Sequence, residues 1–301
     1  MLVSAFRRFT AGPGSAAGPQ MPQIERKAVA GVGRLILTIG NKGGVGKSMV
    51  TVNTALALAK TGNKVGIFDA NIYSPDIPRL TGTTNWLLSP DKQQNYLPIT
   101  TGGIQQVSVA NVIGKKDSIL WKNYVGAILG DFLKKAIWQD VDYLLVDTPP
   151  GTGDIHMALS TLFKADGAIV VTTPDALSFI DTCRCIDMLN RMPIPIVGIV
   201  ENKGEQQCQT CNKITPAQNE AGKVLADKYK LQKICTIPTI PAIVDSCDNG
   251  TPAYTSIANP ELKKCFDNIA AAIMKRFPKR TPEIPTYVPD TPPPQPTEFK
   301  H

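Results

Sequence analysis

Residues 40–48 read GNKGGVGKS, and their reading decides the fold. Ahead of them stands RLILTI (34–39), an apolar run suited to a buried strand. Behind them stands MVTVNTALALAK (49–60), which reads as a helix. A glycine-rich turn between strand and helix is the setting in which such a motif cradles phosphate. Gly43, Gly44 and Gly46 let backbone N–H groups converge on phosphate oxygens, and the helix N-terminus adds its positive end. Lys47 is placed to neutralise β- and γ-phosphates, and the Ser48 hydroxyl to ligate Mg²⁺. Val45 and Met49 complete the segment expected to line a nucleotide. Two residues depart from the spacing G-x-x-x-x-G-K-[ST]. Asn41 stands where the pattern wants glycine, and Lys42 is a second lysine. Asparagine enters left-handed conformations at modest cost, so the loop is expected to turn there.

Outward from the loop, further apolar runs suit parallel strands: KVGIFD (64–69), DYLLVD (142–147), GAIVVTT (167–173) and PIVGIV (195–200). Helical patterns are expected over 47–60, 124–138, 176–190, 217–229 and 260–275. This alternation predicts an α/β fold: a doubly wound, mostly parallel sheet with a crevice at the strand C-termini, spanning residues 30–277. Residues 278–301 are proline-rich and are expected to be an extended or disordered tail. Residues 1–29 carry Arg7 and Arg8 and no acid before Glu25, the composition of an organellar transit peptide.

The net charge is +7. Basic residues such as Lys134, Lys135, Lys263 and Lys264 fall on expected helices, so the charge reads as a solvated surface rather than a nucleic-acid footprint. No apolar run is long enough for a membrane span. The seven cysteines have no scaffold spacing, and only Cys208 and Cys211, in CQTC, stand at metal-ligand spacing. Two thiolates cannot complete a tetrahedral site or a cubane cluster. A two-fold dimer would supply four. Zinc, a redox dithiol and chance remain open on this spacing alone. Cys183, Cys185, Cys235, Cys247 and Cys265 read as small buried hydrophobes, and His156 as structural. Asp147, at a strand end, is placed to hold Mg²⁺ through water.

KGGVGKS resembles the deviant phosphate loop of the MinD/Mrp/nitrogenase-iron-protein ATPases, and DTPPGTGD (147–154) resembles the hallmark of the Mrp/ApbC family. DANIYSPDIPRL (69–80), GAIVVTTPDALSFID (167–181) and GIVEN (198–202) fit in order, and the nearest branch is the organellar NUBPL type. The resemblance implies a P-loop NTPase fold, ATP as ligand and a homodimer in which Lys42 reaches the partner's nucleotide. It implies that Lys42, Lys47, Asp69 and Asp147 form the catalytic set, with Asn202 near the adenine. It implies a labile [4Fe–4S] cluster on Cys208 and Cys211, with Zn²⁺ the alternative. The cluster would come from upstream assembly machinery and go to apo iron–sulfur proteins, complex I-type recipients among them. The address would be a mitochondrion or a hydrogenosome.

Three departures stand out. The family's D-A-D is Asp69-Ala70-Asn71, its W-R-G is Trp121-Lys122-Asn123, and its N-M-S is Asn202-Lys203-Gly204. An amide cannot take a proton from water, so ATP binding with slow hydrolysis is expected. NKGE (202–205) imitates a guanine-reading motif, but the glycine after Asp147 comes one residue late for a GTPase. The rival functions are a MinD/ParA-like switch without cluster and a zinc-stapled targeting ATPase.

Overall fold

The computed structural model describes residues 26–88, 90–113, 125–151, 153–207, 214–216, 220–286 and 297–298. The strands are β1 (Val32–Ile39), β2 (Val65–Asp69), β3 (Trp86–Leu87), β4 (Ile99–Thr101), β5 (Ile104–Ser108), β6 (Val141–Asp147), β7 (Gly167–Thr172), β8 (Ile196–Gln207), β9 (Ile214–Pro216), β10 (Lys233–Thr239) and β11 (Thr297–Glu298). The helices are α1 (Lys47–Lys60), α2 (Ile77–Leu80), α3 (Ala110–Ile113), α4 (Val125–Lys135), α5 (Asp154–Leu162), α6 (Ala176–Arg191), α7 (Ala221–Tyr229), α8 (Pro241–Asp248), α9 (Ala253–Ser256) and α10 (Pro260–Arg276).

A nine-stranded sheet runs in the order β10-β8-β7-β1-β6-β2-β5-β4, with β9 paired to β8. From β10 to β5 every pairing is parallel; β4 on β5 and β9 on β8 are antiparallel. Apolar side chains fill both faces, as a parallel sheet sandwiched by helices requires. One face packs Leu37, Phe68, Leu144 and Val170 against Leu133, Leu159 and Ile186. The other packs Ile36, Ile67, Leu145 and Ile169 against Leu58, Phe266 and Ile273. The long helix α1 is buried over most of its surface because α10 covers the side that the sheet does not.

The expected doubly wound α/β sheet is present, with differences in its bounds. β8 continues past residue 200 to Gln207, and β5 is a strand that the apolar runs did not single out. Residues 26–29, inside the expected leader, pack on the folded body. The Lys27 amide donates to Leu162 O (3.1 Å), Arg26 Nη2 to Met192 O (3.1 Å), and Val29 is buried. The tail expected from 278 is also revised. Residues 278–286 strap across the N-terminal ends of β1 and β6. Arg280 Nε donates to Gly33 O (2.7 Å), the Gly31 amide to Ile284 O (2.8 Å) and Arg34 Nε to Pro278 O (2.9 Å). Asp166, nearly closed to water, pairs with Arg34 at 2.8 Å and Arg280 at 3.4 Å. β11 pairs antiparallel with β3. Proline content removes helix and central-strand options, but a strap needs only isolated bonds to the strand ends.

Candidate functional site

The parallel register gathers the site at the C-terminal ends of the strands. Asp147 at the end of β6 lies beside Thr38 of β1 and beside Asp69 at the end of β2. The loop from Gly40 to Ser48 leaves β1 in the same place and feeds α1. Gly44 (φ 78°) and Gly46 (φ 90°) supply the left-handed turns. Asn41 is not among the positive-φ residues, so the expected left-handed asparagine is corrected. The strain sits on the glycines that follow. The Asn41 carbonyl instead accepts the Gly151 amide (2.8 Å), fastening the turn after Asp147 to the phosphate loop.

Lys47 is 6% exposed, with its ammonium 3.4 Å from Lys42 O. Burial lowers its pKa, against the pull of Asp147. Ser48 Oγ donates to Asp147 Oδ2 (2.6 Å), and Thr51 Oγ1 lies 3.4 Å from Oδ1. Asp147 is fully buried, and that burial pushes it up to about 7. Asp69 is pushed well above the carboxylate range, first by burial and then by Asp147. Two buried acids side by side with a hydroxyl form an all-oxygen donor set, which suits a hard cation. Ser48 would hold Mg²⁺ directly and Asp147 through water. The ion would neutralise phosphate charge, and its own charge would draw Asp147 back to the ionised form.

A cavity of about 440 Å³ opens on this floor. Gly43, Gly44, Gly46, Lys47, Ser48 and Met49 form one side of it, and Asn71, Asp76, Arg79, Pro150 and Cys247 lie on its other walls. Val45 is buried beneath the loop. The Asn71 amide group donates Nδ2 to Ser74 O (2.6 Å), and the Asn71 backbone N–H donates to Asp69 Oδ1 (3.1 Å). Position 71 therefore staples its own loop.

Lys42 points elsewhere. Its ammonium pairs with Asp175 Oδ1 at 2.9 Å, both side chains being partly exposed. Asp175 caps α6 through the Ser178 amide (2.9 Å) and accepts from Thr173 Oγ1 (2.6 Å) and Ser178 Oγ (2.7 Å). Burial works against its ionisation, but those bonds and Lys42 hold it well below the usual carboxylate range. Asn202, expected near adenine, is buried against the phosphate loop. Its Nδ2 donates to Val45 O (2.8 Å), its Oδ1 accepts from the Lys203 amide (3.0 Å), and Lys203 Nζ donates to Gly44 O (3.2 Å). A Cβ at Gly46 would collide with Asn202 Nδ2, so the pair is a fitted contact.

Cys208 and Cys211 lie outside the described residues, as do Trp121, Lys122 and Asn123. The two cysteines fall between Gln207, which ends β8, and Ile214, which opens β9; those two residues face each other in an antiparallel pair. Cys185 is fully buried, as expected of a small hydrophobe, whereas Cys183, Cys235, Cys247 and Cys265 are only partly so. His156 is buried with no hydrogen-bond partner on either ring nitrogen among the described residues, and burial lowers its pKa to about 4, a neutral packing residue. Sequence reading missed Asp76, Arg79, Lys203 and Asp175. For Asp175 the signal was present: an aspartate with Ser178 three residues on, opening an apolar helix, is an N-cap.

The family model described as NUBPL iron-transfer P-loop NTPase (ParA) matches residues 31–274. The protein named iron-sulfur cluster carrier protein from Escherichia coli strain K12 is 37% identical over 244 residues, 80% of this chain and 66% of the relative. Its namesake from Haemophilus influenzae is 34% identical over 248 residues, covering 82% and 67%. The chain thus spans about two thirds of the length of these relatives. Among solved structures, a nucleotide-binding protein of Archaeoglobus fulgidus in complex with ADP superposes with TM-score 0.66 at 30% identity, covering 78% of this chain and 93% of that one. The cell division ATPase MinD of Pyrococcus furiosus shares the fold, with TM-score 0.60 at 23% identity over 81% of this chain and 99% of that one. With a family match that runs over residues 31–274, most of its length, this chain belongs to the NUBPL iron-transfer P-loop NTPase family.

Proposed function

We propose that the protein is an ATP-dependent iron–sulfur cluster carrier that holds a labile [4Fe–4S] cargo between two copies of the chain and passes it to apo iron–sulfur proteins. The observation that carries this reading is the course of β8. A single strand fastens the phosphate loop through Asn202 and Lys203 and ends at Gln207, next in sequence to Cys208. A change at the loop on nucleotide binding has a short, hydrogen-bonded route to the cysteine pair. The names of the relatives support the cargo, and the thiolate count supports a shared site.

In this reading ATP lies along Gly43–Ser48, with Lys47 on its phosphates and Mg²⁺ on Ser48. Lys42 exchanges Asp175 for the partner copy's nucleotide when two copies close. Complex I-type recipients and an address in a mitochondrion or a related organelle belong to the same proposal. The acid-free, Arg7–Arg8-bearing start of the chain supports the address, and import of a fluorescent fusion of residues 1–29 tests it.

The deciding experiment is anaerobic reconstitution with iron and sulfide, comparing wild type with Cys208→Ser. About four irons per dimer, lost in the variant, are expected. About one tightly held zinc per dimer and no iron would replace the carrier by a zinc-stapled switch ATPase.

A further inference from the structure

We propose that Asp76 is the carboxylate that handles the attacking water during ATP hydrolysis, in place of the acid that position 71 lacks. The inference rests on the nucleotide reading above. Asn71 lies on the cavity wall, but its Nδ2 is spent on Ser74 O, and an amide has no basic site for a proton. Asp69 and Asp147 are buried beneath the floor, where Ser48, Ser108 and backbone amides take up their oxygens. Among the described residues that line the cavity, Asp76 alone carries a carboxylate.

Its setting suits the role. Asp76 stands on the same loop as Asn71, at the N-cap position of α2, yet its side chain makes no capping bond. It is exposed to the cavity, and the charges of Lys47 and Asp147 reach it. Arg79, one turn along α2, faces the same space and is anchored to Asp248 of α8 at 2.8 Å. This keeps the loop and its acid against the cavity mouth.

In the step assigned to it, water oxygen bonds to the γ-phosphorus while the bond from that phosphorus to the β–γ bridging oxygen breaks. The water proton passes to the Asp76 carboxylate and then to solvent, and ADP and phosphate leave.

The test separates binding from turnover, using the full chain, a fluorescent ATP analogue, and Mg²⁺-dependent phosphate release. Asp76→Asn is expected to bind the analogue within about twofold of wild type, while kcat falls at least about tenfold. Asp76→Glu keeps part of the rate. Adding Asn71→Asp to Asp76→Asn restores turnover, because it returns a carboxylate to the same wall. The retained affinity shows that each variant is folded. Unchanged kcat in Asp76→Asn, or no recovery in the double variant, overturns the assignment of Asp76 alone. Wild type that binds no analogue overturns the nucleotide reading, and this inference with it.

Discussion

Lys47 brings its ammonium to a place nearly closed to water and finds there two carboxylates that burial pushes toward the protonated form. Phosphate on the ammonium and a divalent cation on the acids would relieve this arrangement, so it can store binding affinity. Lys47→Ala should abolish ATP binding in a fluorescent-analogue titration with little change in Tm, since the folded protein loses a buried charge that has no close ion pair among the described residues. The acids carry a pH signature. A carboxylate whose folded pKa lies above its unfolded value binds more protons folded than unfolded in the interval between them. For Asp147 that interval runs from the ordinary carboxylate value up to about 7. Its contribution to stability is fully present in acid and is lost as pH rises toward 7, and Asp69 acts in the same direction. In metal-free protein, Tm should therefore fall from pH 5 to pH 7.5, and Asp147→Asn should flatten that fall. With Mg²⁺ and ADP the slope should weaken, because the cation favours the ionised acid. A slope unchanged in Asp147→Asn would remove these acids from the account.

At the scale of elements, β8 joins two jobs. Glu201, nearly closed to water, accepts the Gly222 amide that opens α7 (2.7 Å) and the Lys233 ammonium from β10 (2.7 Å). One residue on, Asn202 turns to the phosphate loop. Asn202→Ala leaves the Val45 carbonyl without its donor. It should weaken ATP and GTP by the same factor, about tenfold, from roughly 1–2 kcal/mol of lost loop order. A loss confined to ATP would make Asn202 an adenine contact instead. The same elements show how far pattern reading reached. α1, α6 and α10 were legible because their apolar periods are long. β5 was not, because Gln105 and Gln106 interrupt its apolar pattern; yet Gln106 is buried and donates Nε2 to Thr83 Oγ1 (2.5 Å). β10 was legible around Cys235, and its Pro238 is tolerated beside a bulge in the pairing.

Over the whole molecule, the site lies at one end of the sheet and residues 278–286 cross the other. The strap contributes the Arg280, Arg34 and Gly31 bonds and the pairing that neutralises Asp166. Ending the chain at Phe277 should cost on the order of 2–4 kcal/mol, from three or four hydrogen bonds at about 1 kcal/mol each. That lowers Tm by about 5–10 °C. Nucleotide affinity should hold, measured at a temperature where both forms are folded, because the strap and the phosphate loop share no residue. A parallel loss of affinity would show that the two ends of the sheet are coupled.

Local chemistry dictated what the sequence by itself determined. The glycines that turn the phosphate loop, the helix that receives it, the alternation that makes a doubly wound sheet, and the identities of Lys47, Ser48 and Asp147 all follow from short stretches of chain. Tertiary structure alone decided which distant residues meet. Strand register set Asp69 beside Asp147, β8 brought Asn202 to Val45, α6 supplied Asp175 to Lys42, and α2 set Asp76 and Arg79 on the cavity wall. The reason is that periodicity records which side of an element is buried, whereas contacts between remote elements depend on strand order and register, which only packing of the whole sheet fixes.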